Sequence, residues 1–373
     1  MIRVAVLGCT GSIGSTTIRI LRRYKNDFSV VLLANATRVD ELLALKKEFS
    51  VPNVYSECGL LIKNDKQIDF DQDYLNKPET YSDVDIVVNG IVGLAGLRPT
   101  VAVMEAGKIL ASANKESFVC AGEYLRNRFS DFSKLVRPVD SEHSSLWQCL
   151  DGKEENVKRL IITASGGAFR DYDRQKLSTA RAVDALQHPN WDMGKKVTVD
   201  CATLVNKGLE IIEAKRLFGI DDVQAVINRE SIVHAMVQMK DNSYICGLSI
   251  PDMEIPIQYA LFYPERKNTS IRELDFTKAA SLNFQPIDKD RFPCFELCVK
   301  ASEQGDYLCT VLNAADEALT YLYLREEIGF YDISDYISDA FEKFGYNNSI
   351  NALEDIFILS NTVKEYIYKS TKR

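Results

Sequence analysis

Apolar residues run unbroken from Ile2 to Leu7, the mark of a strand covered on both faces in a parallel sheet. The run stops at a stretch holding three glycines, residues 8–14, and apolar positions then recur at helical spacing from Ser15 to Tyr24. Residues 28–33 read as a second strand, 83–88 as a later one, 91–104 as a loop and helix, and 109–112 as a further strand. A short strand is expected over 134–137, running into Pro138, and another over 157–163. From Gln285 onward the spacing is helical, over 294–303, 312–327, 333–344 and 351–368. Strands alternating with helices, then helices alone, predict an α/β protein with a doubly wound first part. We expect domains at 1–130 and 131–255, a connecting segment at 256–290, and a small helical domain at 291–373.

Composition narrows the class. A chain of 373 residues exceeds one ordinary core, which agrees with several domains. The formal net charge of −8 argues against nucleic acid or an anionic membrane as partner. No apolar stretch approaches membrane-spanning length, and the first strand starts too early for a signal peptide, so no membrane association is expected. The nine cysteines are scattered without a C-x-x-C pair, which suggests reduced thiols and the cytoplasm. Three histidines in all make a histidine-rich metal site a poor expectation. There is no internal repeat and no low-complexity segment.

Candidate chemistry starts at the first turn. Strand, Gly8-Cys9-Thr10-Gly11-Ser12-Ile13-Gly14, then helix is a dinucleotide-binding context, because glycines let the backbone approach a pyrophosphate at a helix N-terminus. The spacing is G-x-x-G-x-x-G. After the second strand, where an acid would bind the ribose hydroxyls of NAD, stands Ala34-Asn35-Ala36-Thr37-Arg38, which suits the 2′-phosphate of NADP. The first domain is therefore read as Rossmann-like and NADP-binding. Asn114, Lys115 and Glu116 follow the strand at 109–112 and fall where a nicotinamide is expected.

The densest chemistry lies at Pro138-Val139-Asp140-Ser141-Glu142-His143. Two carboxylates at i, i+2 on an extended segment point the same way, and repel unless a cation sits between them. Hard divalent cations favour such oxygen donors. In Asn206-Lys207-Gly208-Leu209-Glu210, Asn206 and Glu210 share a helix face, so Glu210 can supply a third carboxylate. Ala164-Ser165-Gly166-Gly167-Ala168 is a small-residue turn fit to present amides and a hydroxyl to a phosphate. Residues 187–194, with His188, Trp191 and Met193, read as a lid that excludes water, within a lid region of about 184–195.

Taken in order, GCTGSIG, IVGLAGLRPT, ANKES, PVDSEHSSLWQ, SGG, HPNWDMG, NKGLEIIEA, PDM, RFPC and LNAADEA resemble the 1-deoxy-D-xylulose 5-phosphate reductoisomerase family, from residue 1 through Glu317. The resemblance implies NADPH- and metal-dependent isomerisation and reduction of a sugar phosphate for isoprenoid precursor synthesis, in a homodimer. By position it implies that Thr10, Gly11, Ser12, Ile13, Ala36, Thr37, Arg38, Asn114, Glu116 and Gly194 contact NADPH. It implies that Asp140, Glu142 and Glu210 bind magnesium or manganese, and that Lys115, Ser141 and Glu142 hold substrate oxygens beside the metal. Ser165, His188, Asn206 and Lys207 would fix the phosphate, and Trp191 and Met193 would cover the substrate. Cys201 stands where the family has a serine that touches the phosphate; Asn228 replaces a usual histidine; and Ala36, Ala164 and Ala168 replace a glycine, a glycine and a proline. The ligands, the lysine and the lid all remain, so activity is expected. Another NADP-linked sugar-phosphate or semialdehyde oxidoreductase would not need three carboxylates, and a silent homologue would have lost one of Asp140, Glu142, Glu210 or Lys115.

Overall fold

The computed structural model of the chain describes residues 1–187, 193–278, 281–346 and 348–372. They form two compact units. The first comprises Met1–Ser117, Phe129–Ser144 and Asp252–Ile271; the second comprises Phe118–Arg128, Ser145–Pro251 and Arg272–Arg373.

The first unit holds an eight-stranded sheet. Its strands are β1 (Ile2–Leu7), β2 (Phe28–Asn35), β3 (Asn53–Ser56), β4 (Leu60–Lys63), β5 (Lys66–Gln67), β6 (Ile86–Asn89), β7 (Ile109–Ser112) and β8 (Val136–Pro138), in the spatial order β5-β4-β3-β2-β1-β6-β7-β8. The pairs from β3 through β8 are parallel, and β3-β4-β5 is an antiparallel edge. The unbroken apolar run of β1 is explained by its place: it pairs with β2 and β6, and Val4 to Leu7 are wholly buried. The register then positions function. Leu7 lies opposite both Ala34 and Asn89, Asn89 opposite Ser112, and Ser112 opposite Pro138. The carboxyl ends of β2, β1, β6, β7 and β8 therefore stand in one line, where open α/β sheets bind ligands.

Two local expectations are corrected. The first helix begins at Ser12, three residues early, with Gly11 as its N-cap. The strand expected over 134–137 begins two residues late: Phe132–Leu135 forms a helical turn on the Asp131 carbonyl, and Val136–Pro138 pairs with β7. Those four residues have strand-like composition, but a position beside a sheet edge, not local propensity, decides where pairing starts.

The second unit has a four-stranded sheet of β9 (Val157–Ala164), β10 (Val223–Ile227), β11 (Val233–Met239) and β12 (Tyr244–Leu248), ordered β10-β9-β11-β12. Beside it run helices Lys195–Thr203 and Val205–Phe218, joined through Leu204 in a left-handed conformation (φ +61°). The helical periods near the C-terminus become Pro293–Ser302, Gly305–Leu324, Phe330–Phe344 and Leu353–Ser370. The 20-residue helix Gly305–Leu324 is their hub, with 15 residues buried. Helix Pro293–Ser302 meets Val205–Phe218 at Gly208, where an added Cβ would lie 2.2 Å from Cys298 Cβ.

Candidate active site

The glycine turn after β1 is built for close approach. Gly8 has φ +77°, and a Cβ there would lie 2.7 Å from the Gly90 carbonyl; one on Gly14 would lie 2.2 Å from the Gly8 carbonyl. The helix Ser12–Arg23 thus seats its first turn directly on the loop, with no acidic side chain there, leaving its amide dipoles free to favour an anion. The amides of Gly8 and Cys9 both donate to the Ala34 carbonyl at 2.9 Å, which ties the turn to the end of β2. Burial pushes the Cys9 thiol up to about 12, so it stays neutral beneath the turn. Arg38 Nη1 donates to the Thr10 carbonyl at 2.8 Å, so the cation after β2 is drawn over the turn. Ser56 Oγ donates to the Ala36 carbonyl at 3.0 Å and fixes the stretch that carries Ala36 and Thr37.

Beyond β7, Asn114 and Glu116 stitch two strand ends together. The Asn114 amide donates to the carbonyls of Ile91 and Gly93, both at 2.8 Å, and Glu116 Oε1 accepts from the Gly93 amide at 3.1 Å. Both side chains are buried, so they set the shape of the loop after β6.

At the end of β8 the structure corrects the extended reading of 140–142. Asp140 is the last non-helical residue, and Ser141 opens the helix Ser141–Leu150. Asp140 Oδ1 accepts the Ser141 amide at 2.9 Å, and its carbonyl accepts the Ser144 amide at 2.8 Å. Glu142 therefore stands in a helical first turn, and the two carboxylates are neighbours because the chain turns, not because strand residues alternate. Glu142 Oε2 accepts from Ser141 Oγ at 2.6 Å. Lys115 Nζ lies 2.7 Å from Asp140 Oδ2, both side chains largely shielded from solvent. Because β7 and β8 are paired, their ends place this lysine beside this carboxylate.

In the second unit, Glu210 is 1% exposed. One turn earlier, Asn206 Nδ2 donates to its Oε1 at 2.5 Å and Lys207 Nζ pairs with its Oε2, as i, i+4 and i, i+3 spacing on a helix allows. The expected shared face is thus present. Ser165 follows the end of β9, and its Oγ accepts the Gly167 amide at 3.2 Å. Gly166 and Gly167 have φ of +86° and +67°, and a Cβ on Gly167 would lie 2.3 Å from the Cys201 carbonyl. The Ser165 turn therefore packs on the Cys201 carbonyl. Met193 and Gly194 precede helix Lys195–Thr203, with Gly194 as N-cap, whereas His188 and Trp191 lie outside the described residues.

Among the departures, Asn228 is wholly buried. It donates to Glu230 Oε2 at 2.7 Å and the Asn283 carbonyl at 3.1 Å, and accepts the Val233 amide at 3.3 Å. It ties the end of β10 to the start of β11 and to a distant loop. The chain marks the residue as a departure but carries no local sign of these contacts, and the one to Asn283 depends on the fold alone.

The chain matches three family profiles. Residues 4–122 match that described as 1-deoxy-D-xylulose 5-phosphate reductoisomerase. Residues 136–218 match its C-terminal domain, and 248–366 match a profile described as DXP reductoisomerase C-terminal domain. A 1-deoxy-D-xylulose 5-phosphate reductoisomerase of Sulfurihydrogenibium sp. (strain YO3AOP1) is 41% identical over 372 residues, covering 97% of this chain and 96% of that one. One of Clostridium perfringens (strain 13 / Type A) is 38% identical over 382 residues, covering 99% of each. A crystal structure of DOX-P reductoisomerase in complex with NADPH, fosmidomycin and magnesium superposes with a TM-score of 0.89 at 34% identity, over 100% of this chain and 98% of that one. The Zymomonas mobilis reductoisomerase in complex with NADPH gives 0.88 at 30% identity, over 99% of each.

Proposed function

Because this chain belongs to the 1-deoxy-D-xylulose 5-phosphate reductoisomerase family, we propose that it isomerises and reduces 1-deoxy-D-xylulose 5-phosphate to 2-C-methyl-D-erythritol 4-phosphate, using NADPH and a divalent cation, magnesium or manganese. One observation carries the reading: the same end of one sheet presents a glycine turn fit for a dinucleotide after β1 and, after β8, an acidic corner with a lysine on it. A dehydrogenase needs the first; only a reaction that also works on oxygens at a hard cation needs the second.

Thr10, Gly11, Ser12 and Ile13 would bind the pyrophosphate, and Ala36, Thr37 and Arg38 the adenosine 2′-phosphate. Asn114, Glu116 and Gly194 would border the nicotinamide. Asp140, Glu142 and Glu210 would hold the cation; three carboxylates and no thiol or imidazole form the donor set that magnesium and manganese favour. When bound, the cation supplies Lewis-acid polarisation of neighbouring substrate oxygens, and NADPH supplies the hydride. Lys115 and Ser141 would orient those oxygens, with Lys115 held by Asp140 so that its ammonium faces one place. Ser165, Cys201, Asn206, Lys207 and His188 would anchor the phosphate, while Trp191 and Met193 would cover the substrate and exclude water. By function we would assign NADPH binding to 1–130, catalysis to 131–255, a connection to 256–290 and a helical domain to 291–373, while β8 and helix Glu254–Phe262 pack within the first compact unit. A cytoplasmic homodimer completes the reading: no cysteine is joined in a disulfide, and the dimer rests on the family resemblance alone.

The test is NADPH oxidation on addition of 1-deoxy-D-xylulose 5-phosphate, with and without magnesium or manganese. Chelation should abolish turnover while NADPH still binds, and Glu210→Gln should do the same by removing charge at constant shape. Turnover that ignores the metal would overturn the assignment.

A further inference from the structure

Four side chains without a role in that reading form a charged knot in the second unit. Lys196 Nζ lies 2.6 Å from Asp200 Oδ2 and 2.6 Å from Asp316 Oδ2, and Thr320 Oγ1 donates to Asp200 Oδ1 at 3.3 Å. Asp200, Asp316 and Thr320 are all buried, and the Lys196 side chain is 20% exposed. Two buried carboxylates share one ammonium here, and desolvating such groups offsets much of their attraction. Apolar residues would stabilise this contact as well or better. What charged hydrogen bonds add is a fixed distance and direction: they hold helix Lys195–Thr203 against helix Gly305–Leu324 in one register, where apolar surfaces can slide.

The register matters one residue further on. Asp200 is followed by Cys201, whose carbonyl sits within contact distance of Gly167 in the Ser165 turn. Two residues after Cys201 the helix ends, Leu204 turns the chain in a left-handed conformation, and the next helix presents Asn206 and Lys207. The position of helix Lys195–Thr203 along its axis thus sets the gap between the Ser165 turn and the Asn206–Lys207 pair. We propose that Lys196 and Asp316 are positioning residues for the phosphate end of the substrate, acting through Asp200 on that gap. The inference rests on the phosphate assignment in the proposed function.

Asp316→Asn is the informative variant, since it leaves a neutral Lys196–Asp200 pair and should fold. It should raise KM for the sugar phosphate five- to twentyfold and raise the inhibition constant of inorganic phosphate in parallel. KM for NADPH and kcat should stay within twofold. Lys196→Arg, which can bridge both carboxylates, should keep KM near the wild-type value, and Lys196→Met should not. If Asp316→Asn does not fold, Thr320→Val replaces it, with KM two- to threefold up at constant kcat. A lower melting temperature with unchanged KM and unchanged phosphate inhibition means a purely structural knot and overturns the proposal. If the wild type does not turn over 1-deoxy-D-xylulose 5-phosphate, the functional reading fails by itself. Calorimetry with inorganic phosphate then still decides this inference: weaker binding by Asp316→Asn supports it, and equal binding or none by the wild type overturns it.

Discussion

At the scale of single residues, the departures from the family pattern can be weighed by what each side chain touches. Cys201 carries a thiol, a weak donor on a large atom, and its backbone carbonyl lies beside the turn that would take the phosphate. Cys201→Ser should lower KM for the sugar phosphate, by up to about 1 kcal/mol in binding, and leave kcat in place because the phosphate does not react. Steady-state kinetics of the two proteins check this, and an unchanged or raised KM would mean the helix has packed around sulfur as an apolar group. Asn228 is different in kind. Its carbonyl oxygen and amide serve three partners in a dry place, so Asn228→Ala leaves the Val233 amide and the Glu230 carboxylate short of a bond. We expect a loss of about 2 kcal/mol in stability, read as a lower melting temperature. Arg38, drawn onto the Thr10 carbonyl, is the only charge available to a 2′-phosphate in its stretch. The wild type should prefer NADPH to NADH strongly in kcat/KM, and Arg38→Ala should narrow the gap by roughly tenfold or more, the worth of a charge-assisted hydrogen bond.

At the scale of elements, two close approaches hold the site in shape. Helix Ser12–Arg23 rests on its own preceding loop through Gly14, and helix Pro293–Ser302 rests on the Asn206 helix through Gly208. Neither contact admits a methyl group: the obstacle at Gly14 is backbone, which cannot swing aside as a side chain can. Gly14→Ala should push the helix off the turn, cost about 1–3 kcal/mol in stability, and weaken NADPH binding in a fluorescence titration. The glycine pattern is legible in the chain alone because a strand, a turn and a helix are contiguous in it. The contact at Gly208 is not, because its partner Cys298 lies ninety residues away, on a helix whose packing nothing local specifies.

At the scale of the whole molecule, each unit is assembled from separated stretches of chain, and in the first unit Glu254 pairs with Arg23 and Arg19 of the first helix. Helix Glu254–Phe262 comes back to the sheet unit, with Ile257, Ala260, Leu261 and Phe262 in its core. Burial raises the Glu254 carboxyl, but hydrogen bonds from Arg23 at 2.5 Å and Thr269 at 2.7 Å outweigh it and lower it to about 2. A depressed carboxyl stabilises the fold above its unfolded value near 4 and loses that contribution as pH falls toward 2. Glu254→Gln should therefore cost on the order of 2–3 kcal/mol at neutral pH, and the difference from wild type should shrink below about pH 4 in denaturant titrations. The sequence by itself determined what is local. The buried strand at Ile2–Leu7, the turn that follows it, and the shared face of Asn206 and Glu210 all depend on spacing within a few residues, and spacing is printed in the chain. Tertiary structure decided the rest. The Asp140–Glu142 corner is a helix start because β8 stops pairing at Pro138, and Lys115 meets Asp140 because β7 and β8 are neighbours. Lys196 meets Asp316 across 120 residues, and Arg23 meets Glu254 across 231. Such pairs leave no mark in periodicity, since charge attracts by distance in space, and only the folded backbone sets that distance.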